Sequence, residues 1–538
     1  MSDRPDIVLV VLDDLGFSDL GCFGAEIRTP NLDCLAAQGV RFNRFETRAI
    51  CTPSRAALLS GRNPHEIGIT DLPAMSGADL LDPDASFRGR LSADVELLPE
   101  TLRARGYRTS AIGKWHLAGH DADDVEYDRE NWPTRRGFDS FYGFLGGHTD
   151  QFSPALIRQE SPVDGPRPDG YHLTEDLVQH AIAALDRSGT PAFVYLATGA
   201  AHSPHQVPES FRDLYRGDYD VGWDVIRERR LRRQIELGIV PPATELARRN
   251  PGDPAWVTLD SRERRVAARF QEIYAAFVDH TDAQLGRLFR HITERGRDTI
   301  VVVLSDNGPA PEAGRTGNFR RLYRGEDTPL AEIDEHLDEM GGPTTTPMYP
   351  RAWAMAGATP FRRYKLWPLA GGMRTPLIIS RPNHVNDPGA VRTQFVELID
   401  LAPTIVSWID ESAPPHVSTP DYDGAALSPI LVDPETSTRE IQYFELRSNR
   451  AIVKGDWKAA AVHVPGTDFA DDRWMLFDLA ADFSEAHDVA STRPELLAEL
   501  ISLWETEATR YSAMPLREMT PLLRSLKYFD DGHPPQHP

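Results

Sequence analysis

The chain has 538 residues, 41% hydrophobic and 26% charged, with 81 acidic against 58 basic side chains and a net charge of −23. That length accommodates one large domain plus a smaller one. The acidity excludes a general nucleic-acid binder, which needs a basic face, but not an anionic ligand in a local cationic pocket.

Residues 7–12 form an apolar, β-branched run that predicts a buried strand. The run is too short for the apolar core of a signal peptide, and two aspartates stop it. Residues 32–38 predict a helix with Thr29-Pro30-Asn31 as its start signal, and 54–60 a second short helix. A helix over 97–105 ends at Gly106, and a strand follows at 109–112. Residues 174–188 read as an amphipathic helix and 192–197 as a strand. Residues 213–262 read as a charged surface insertion whose basic run is a solvated helix face. A long 3.6-residue period covers 262–294, and 299–305 is the clearest buried strand, with another at 376–380. Residues 312–363 are Pro/Gly-rich and poor in regular pattern, and a loop that long in a compact domain points to function. Glu-Ser-Ala-Pro-Pro at 411–415 marks a boundary region. Beyond it, 440–464 alternate as antiparallel strands around Lys454-Gly455-Asp456-Trp457, 474–479 add a strand, 494–511 form a closing helix, and 532–538 are a Pro/His-rich tail.

This alternation predicts an α/β fold over residues 1–432, with a large mixed, mostly parallel central sheet flanked by helices. A small α+β C-terminal domain, an antiparallel sheet with its closing helix, is expected over 433–538. No stretch approaches the ~18 apolar residues of a membrane span, so the expectation is a cytoplasmic protein with no membrane partner. Three cysteines, Cys22, Cys34 and Cys51, supply neither a disulfide framework nor a Cys-x-x-Cys metal pair.

Asp13-Asp14 follows the first strand directly, and Asp306-Asn307 follows the strand at 299–305. In open α/β sheets ligands gather beyond the carboxyl ends of the strands. Two strands ending alike suggest three carboxylates and one amide meeting at one point. Clustered carboxylates repel unless a cation neutralises them, and without a soft ligand the set suits Ca2+ or Mg2+. Either pair alone reads equally as a turn or a helix cap. Cys51 alone reads as a buried, inert thiol, but Pro53 sets a turn that keeps Arg55 close to side chain 51. Lys114 and His116, in Gly113-Lys114-Trp115-His116-Leu117, face the same side if that segment is extended. His202, just past the strand at 192–197, is the candidate general acid, with His205 as its competitor. Lys365 is a candidate anion-binding cation, with Arg362 and Arg363 as alternatives. Tyr349, Trp353 and Trp367 read either as an aromatic pocket wall or as packing.

As a set, residues 11–24, Cys51-Thr52-Pro53-Ser54-Arg55, Gly113-Lys114-Trp115-His116-Leu117, Ala201-His202-Ser203-Pro204 and Leu304-Ser305-Asp306-Asn307-Gly308 carry a resemblance, joined by Gly371-Gly372-Met373-Arg374-Thr375-Pro376 and Gly455-Asp456-Trp457-Lys458. Nearly end to end, the chain resembles a bacterial arylsulfatase of the formylglycine-dependent sulfatase family, within the alkaline phosphatase superfamily. The resemblance implies hydrolysis of a small-molecule sulfate ester, aryl sulfates above all, to a phenol or alcohol and inorganic sulfate. It implies a maturing enzyme that converts Cys51 to formylglycine, whose hydrate is the nucleophile. It implies Ca2+, with Mg2+ or Mn2+ as alternatives, on Asp13, Asp14, Asp306, Asn307 and an oxygen of modified residue 51. Arg55 and His116 would hold that residue, Lys114, His202 and Lys365 would hold the sulfate, and Asp306 would help deprotonate the nucleophile.

Ala201 and Ala118 stand where relatives often have Pro and Gly, which loosens two loops without removing a reacting group. Asp13-Asp14 and Asp306-Asn307 resemble the arylsulfatase branch rather than phosphonate monoester hydrolases, which tend to have Asp-His at the second pair. The alternatives are a phosphonate monoester or phosphodiester hydrolase, and a catalytically silent, metal-bound carbohydrate-binding protein. The sequence leaves the oligomeric state open.

Overall fold

The structure, a computed structural model, describes residues 4–73, 89–119, 128–187, 189–320, 328–382, 384–409 and 421–517. The boundary stretch 411–415, the tail 532–538 and residues 321–327 of the long loop lie outside the described residues.

In chain order the first strands are β1 (Asp6–Leu12), β2 (Val40–Phe42), β3 (Phe45–Glu46), β4 (Arg108–Lys114), β5 (Ser140–Phe144), β6 (Ile157–Arg158), β7 (Ser161–Pro162) and β8 (Ala192–Ala197). They are followed by β9 (Thr299–Ser305), β10 (Leu377–Ser380), β11 (Val391–Arg392) and β12 (Val396–Glu397). Ten of these form one sheet in the order β11-β2-β10-β9-β1-β8-β4-β5-β6-β7, and β3 pairs with β12 separately. The centre, β9-β1-β8-β4-β5, is parallel, whereas β10 runs antiparallel to β9. The sheet is therefore mixed, as expected.

β1 is buried along its whole length and alternates between two cores. Val8, Val10 and Leu12 face one, and Ile7, Leu9 and Val11 the other. The first core takes α1 (Pro30–Gln38), and the second takes α2 (Cys51–Ser60) and α3 (Leu98–Ala104). α4 (Leu173–Asp186), α5 (Gly222–Glu236) and α6 (Ser261–Arg295) join α1 on the first face. α6 runs 35 residues because Asp260 and Glu263 form a capping box at its start and Gly296 caps its end. Among the described residues no helix is long and apolar enough to cross a membrane.

The parallel register decides what the sheet can do. Leu12 pairs with Ser305, Val11 with Ala197, and Ala197 with Gly113. β1, β9, β8 and β4 therefore end level, and the residues that follow them meet along one edge. Gly113 permits the close fit at that edge: its φ is +96°, and a Cβ there would lie 1.9 Å from the Ala197 carbonyl oxygen.

After the main sheet come β13 (Ile441–Leu446), β14 (Asn449–Lys454), β15 (Trp457–Ala461) and β16 (Trp474–Asp478), a four-stranded antiparallel meander. One face packs Tyr443, Ile452 and Leu476 against Leu500 and Trp504 of the closing helix Pro494–Arg510. The other packs Phe444, Leu446 and Phe477 against Ile50, Cys51 and Leu366. Buried ion pairs lie at the same junction: Arg374–Glu46 at 2.7 Å and Lys458–Glu485 at 2.8 Å.

Four local expectations need correction. α2 begins at Cys51 rather than at 54, because proline is tolerated in a helical first turn, where its missing N–H has no partner to lose. β4 extends to Lys114, and His116 leaves the strand with φ 54°, so the two do not lie on one extended segment. The basic run of α5 is not all solvated: Arg227 and Arg230 are buried, and Arg230 pairs with Asp19 at 2.6 Å and Glu26 at 2.8 Å. The long loop holds the buried helix Arg351–Gly357.

Candidate active site

The level strand ends bring Asp13, Asp14 and Asp306 together, each with a carboxylate oxygen within 4.8 Å of the others, all buried. Arg55, one turn into α2, donates from Nε to Asp306 Oδ2 at 2.8 Å, and its Nη2 lies 2.8 Å from the same oxygen as an ion pair. Lys114 Nζ, at the end of β4, donates to Asp13 Oδ2 at 2.7 Å. Lys365 Nζ lies 2.9 Å from Asp14 Oδ1. The Asn307 amide donates to Asp14 Oδ1 at 2.5 Å. Cys51 heads α2 beneath this cluster, its Sγ 3.1 Å from His116 Nδ1. Thr52 Oγ1 donates to the His116 carbonyl at 3.0 Å and ties that loop to the helix. His202 Nε2 stands 3.5 Å from Asp14 Oδ2, and its Nδ1 is 2.7 Å from the Ser203 carbonyl oxygen.

All ten residues singled out in the sequence therefore converge. His205 does not join them; it packs among Tyr274, Phe277 and Tyr349. Arg362 and Arg363 cover Phe477 and Trp367 instead of entering the cluster. Tyr349, Trp353 and Trp367 are buried, each at most 5% exposed.

The electrostatics are unusual for a protein interior. Burial pushes the Asp13 carboxyl up to about 7 despite Lys114, and the neighbouring Asp306 adds to the rise. Burial acts the same way on Asp14, but Lys365 and His202 overcome it and hold that carboxyl below its ordinary range. Burial drives the Cys51 thiol above its usual value and holds both His116 and His202 below theirs.

The donor set fits a hard divalent ion. Asp13 Oδ1 and the Asn307 side-chain oxygen are buried with no hydrogen-bond partner, although both residues come from strand ends that converge. Buried acceptors are rarely left orphaned. Oxygen donors alone, three of them anionic, suit Ca2+ or Mg2+ better than a softer metal.

Two titratable groups in the cleft belong to no sequence motif. His148 follows β5, and its ring lies parallel to that of His202 at 5.9 Å. Glu312 comes six residues after Asp306 in a Pro-rich loop without a motif, and its Oε1 is 3.0 Å from Lys365 Nζ.

The profile described as Sulfatase matches residues 5–411. An uncharacterized sulfatase of Schizosaccharomyces pombe is 30% identical, over 94% of this chain and 93% of its own. An arylsulfatase of Klebsiella aerogenes is 28% identical, over 84% of this chain and 95% of its own. The crystal structure of Ps i-CgsB shares the fold at 22% identity, with a TM-score of 0.66 and 97% of both chains covered.

Proposed function

This chain belongs to the sulfatase family and is a sulfuric ester hydrolase, and on that premise we propose that it cleaves aryl sulfates with a nucleophile made from Cys51. One observation carries the reading. Cys51 opens a helix whose first turn faces three buried carboxylates, with Arg55, Lys114 and Lys365 converging on the same point. A thiol is a poor fit to that role: burial raises it, and a protonated thiol does not attack. Conversion of Cys51 to formylglycine supplies instead an aldehyde hydrate, one hydroxyl to attack sulfur and a second to expel the product. Asp13, Asp14, Asp306 and Asn307 would hold a divalent ion, Ca2+ in our assignment, which would make such an oxygen easier to deprotonate.

The protein groups then divide the work. The N-terminus of α2 favours negative charge at residue 51. Arg55, fixed by a hydrogen bond and an ion pair to Asp306, holds that residue's surroundings rigid. Lys114 and Lys365 meet the sulfate oxygens, where preorganised charge is usually the largest catalytic contribution. His116, with Nδ1 towards residue 51, accepts the proton that the second hydroxyl loses. The Ser203 carbonyl fixes the His202 ring with Nε2 towards the cleft. Substrate charge arriving there favours the protonated ring, which protonates the leaving oxygen. The name of the Klebsiella aerogenes relative, an arylsulfatase, supports the aryl class.

Protein from a host with the maturing enzyme should be lighter by one sulfur and two hydrogens and heavier by one oxygen, located by peptide mass at residue 51. It should hydrolyse 4-nitrophenyl sulfate with a higher kcat/KM than an aryl phosphonate. An active protein with an unaltered Cys51, or a preference for the phosphonate, would overturn the proposal.

A further inference from the structure

Glu312 is a buried carboxylate that the reading above leaves unused. Its side chain is 4% exposed, its Oε1 bonds Lys365 Nζ, and its Oε2 is buried without a partner. The loop that carries it is pinned from both sides. The Lys365 amide donates to the Pro309 carbonyl at 3.1 Å, and the Arg351 amide to the Gly314 carbonyl at 2.7 Å. Lys365 is therefore shared between Asp14 and Glu312.

The charges of the cleft give this arrangement a consequence. Asp13, Asp14, Asp306 and Glu312 oppose Arg55, Lys114 and Lys365, every side chain at most 5% exposed. With the histidines left aside, a divalent ion would bring that set to one net positive charge. Without Glu312 the same set would carry two and would suit a dianion. Solvent cannot screen the difference, because the groups are buried.

Resting on the sulfatase reading, we propose that Glu312 is a specificity-determining residue: it holds Lys365 and sets the pocket charge so that monoanionic sulfate esters are selected over dianionic phosphate monoesters and over the free sulfate dianion. Nothing in this role requires Glu312 to touch the reacting atoms. A dianion feels one unit of pocket charge twice as strongly as a monoanion. With an effective dielectric of about 20 the difference amounts to at least about tenfold.

The test is Glu312→Gln in the calcium-loaded, matured enzyme, with Glu312→Ser as a second charge-removing variant and Glu312→Asp as the charge-retaining control. Calorimetry measures binding of methyl sulfate, a monoanion, against inorganic sulfate, a dianion. Turnover compares 4-nitrophenyl sulfate with 4-nitrophenyl phosphate. Both charge-removing variants should shift the two ratios towards the dianion by at least about tenfold, and Glu312→Asp should keep them near the parent values. Ratios that stay within about twofold of the parent in folded Gln and Ser variants overturn the proposal, as does an equal loss on both ligands, which would make Glu312 a structural anchor only. If the parent enzyme turns over no aryl sulfate, the sulfatase reading of the site fails by itself, and the binding ratio still decides the role of Glu312.

Discussion

Removing the divalent ion should destabilise the whole protein by an amount the site itself sets. Two buried acceptors, Asp13 Oδ1 and the Asn307 side-chain oxygen, make no hydrogen bond within the protein and would be satisfied by the ion. Each orphaned buried acceptor costs about 1–3 kcal/mol, so the loaded protein should be more stable by about 4 kcal/mol. By mass action that corresponds to ion at roughly 1,000 times its Kd, or a Kd near 1 µM when free calcium is about 1 mM, within the ordinary range for oxygen-ligand sites. Unfolding entropy for a chain this long is about 1 kcal/mol per degree, so the melting temperature should rise by about 4 °C. The assay is thermal denaturation after chelation, repeated with calcium and with magnesium, for the parent and for Asn307→Ala. The variant should lose about half of the ion-dependent shift. Identical melting of stripped and loaded parent, or a full shift in Asn307→Ala, would refute the reasoning from orphaned acceptors.

Three further outcomes follow from particular contacts. His202→Ala should lower kcat by about 10²–10⁴ on an alkyl sulfate and far less on 4-nitrophenyl sulfate, whose leaving group needs little protonation; equal losses on both would remove His202 from the acid role. Lys458→Met leaves the fully buried Glu485 Oε1 without its 2.8 Å partner, and should cost about 3–5 kcal/mol in denaturant unfolding, most of it recovered by adding Glu485→Gln; an unstable double variant would argue against that origin. His172 caps α4 by accepting the Thr174 N–H at Nδ1, and burial lowers its value from 6.5 to about 3. The folded value lies below the unfolded one, so its stabilisation is complete above pH 6.5 and is lost as pH falls from there towards 3, with a slope of up to about 1.4 kcal/mol per pH unit. In melting curves across that range His172→Asn, a cap that does not titrate, should flatten the acid limb, and an unchanged limb would exclude His172 as its cause.

Much of the site was legible in the sequence because parallel strands in register must deliver their C-terminal residues to one edge. Two strands ending in Asp-Asp and Asp-Asn therefore announce a cluster. Local rules failed where the partner is remote. Helical periodicity and charge alone read Arg230 as solvated, yet it is buried against Asp19 and Glu26, some two hundred residues away in the chain. The segment after β4 shows a different limit. An extended backbone would place Lys114 and His116 on one side, but β4 stops at Lys114 and His116 turns left-handed, its amide bonded to the Leu145 carbonyl at 3.0 Å. Both side chains reach the site, by a geometry that alternation does not describe. Glu312 is marked only as the first residue of the long Pro/Gly-rich loop, since a single glutamate there has neither period nor motif.

That left-handed turn is one of several around the cleft, and together they explain why the rest of the molecule is built as it is. Asp14, Ala49, His116 and Leu366 all have positive φ without being glycine. Each such residue costs of order 1–3 kcal/mol and persists only where its surroundings over-determine it. Here the surroundings do so in named ways. The Asp14 amide donates to Asp306 Oδ1 at 3.3 Å, and the Leu366 amide to the Ala49 carbonyl at 2.8 Å, which locks two strained residues to each other. Ala49 and Leu366 also lie in the apolar cluster that joins Cys51 to Phe444, Leu446 and Phe477 of the C-terminal sheet. The meander is thus part of the clamp on residue 51 and Lys365, and substitutions in its inward face should impair the site before they unfold the chain.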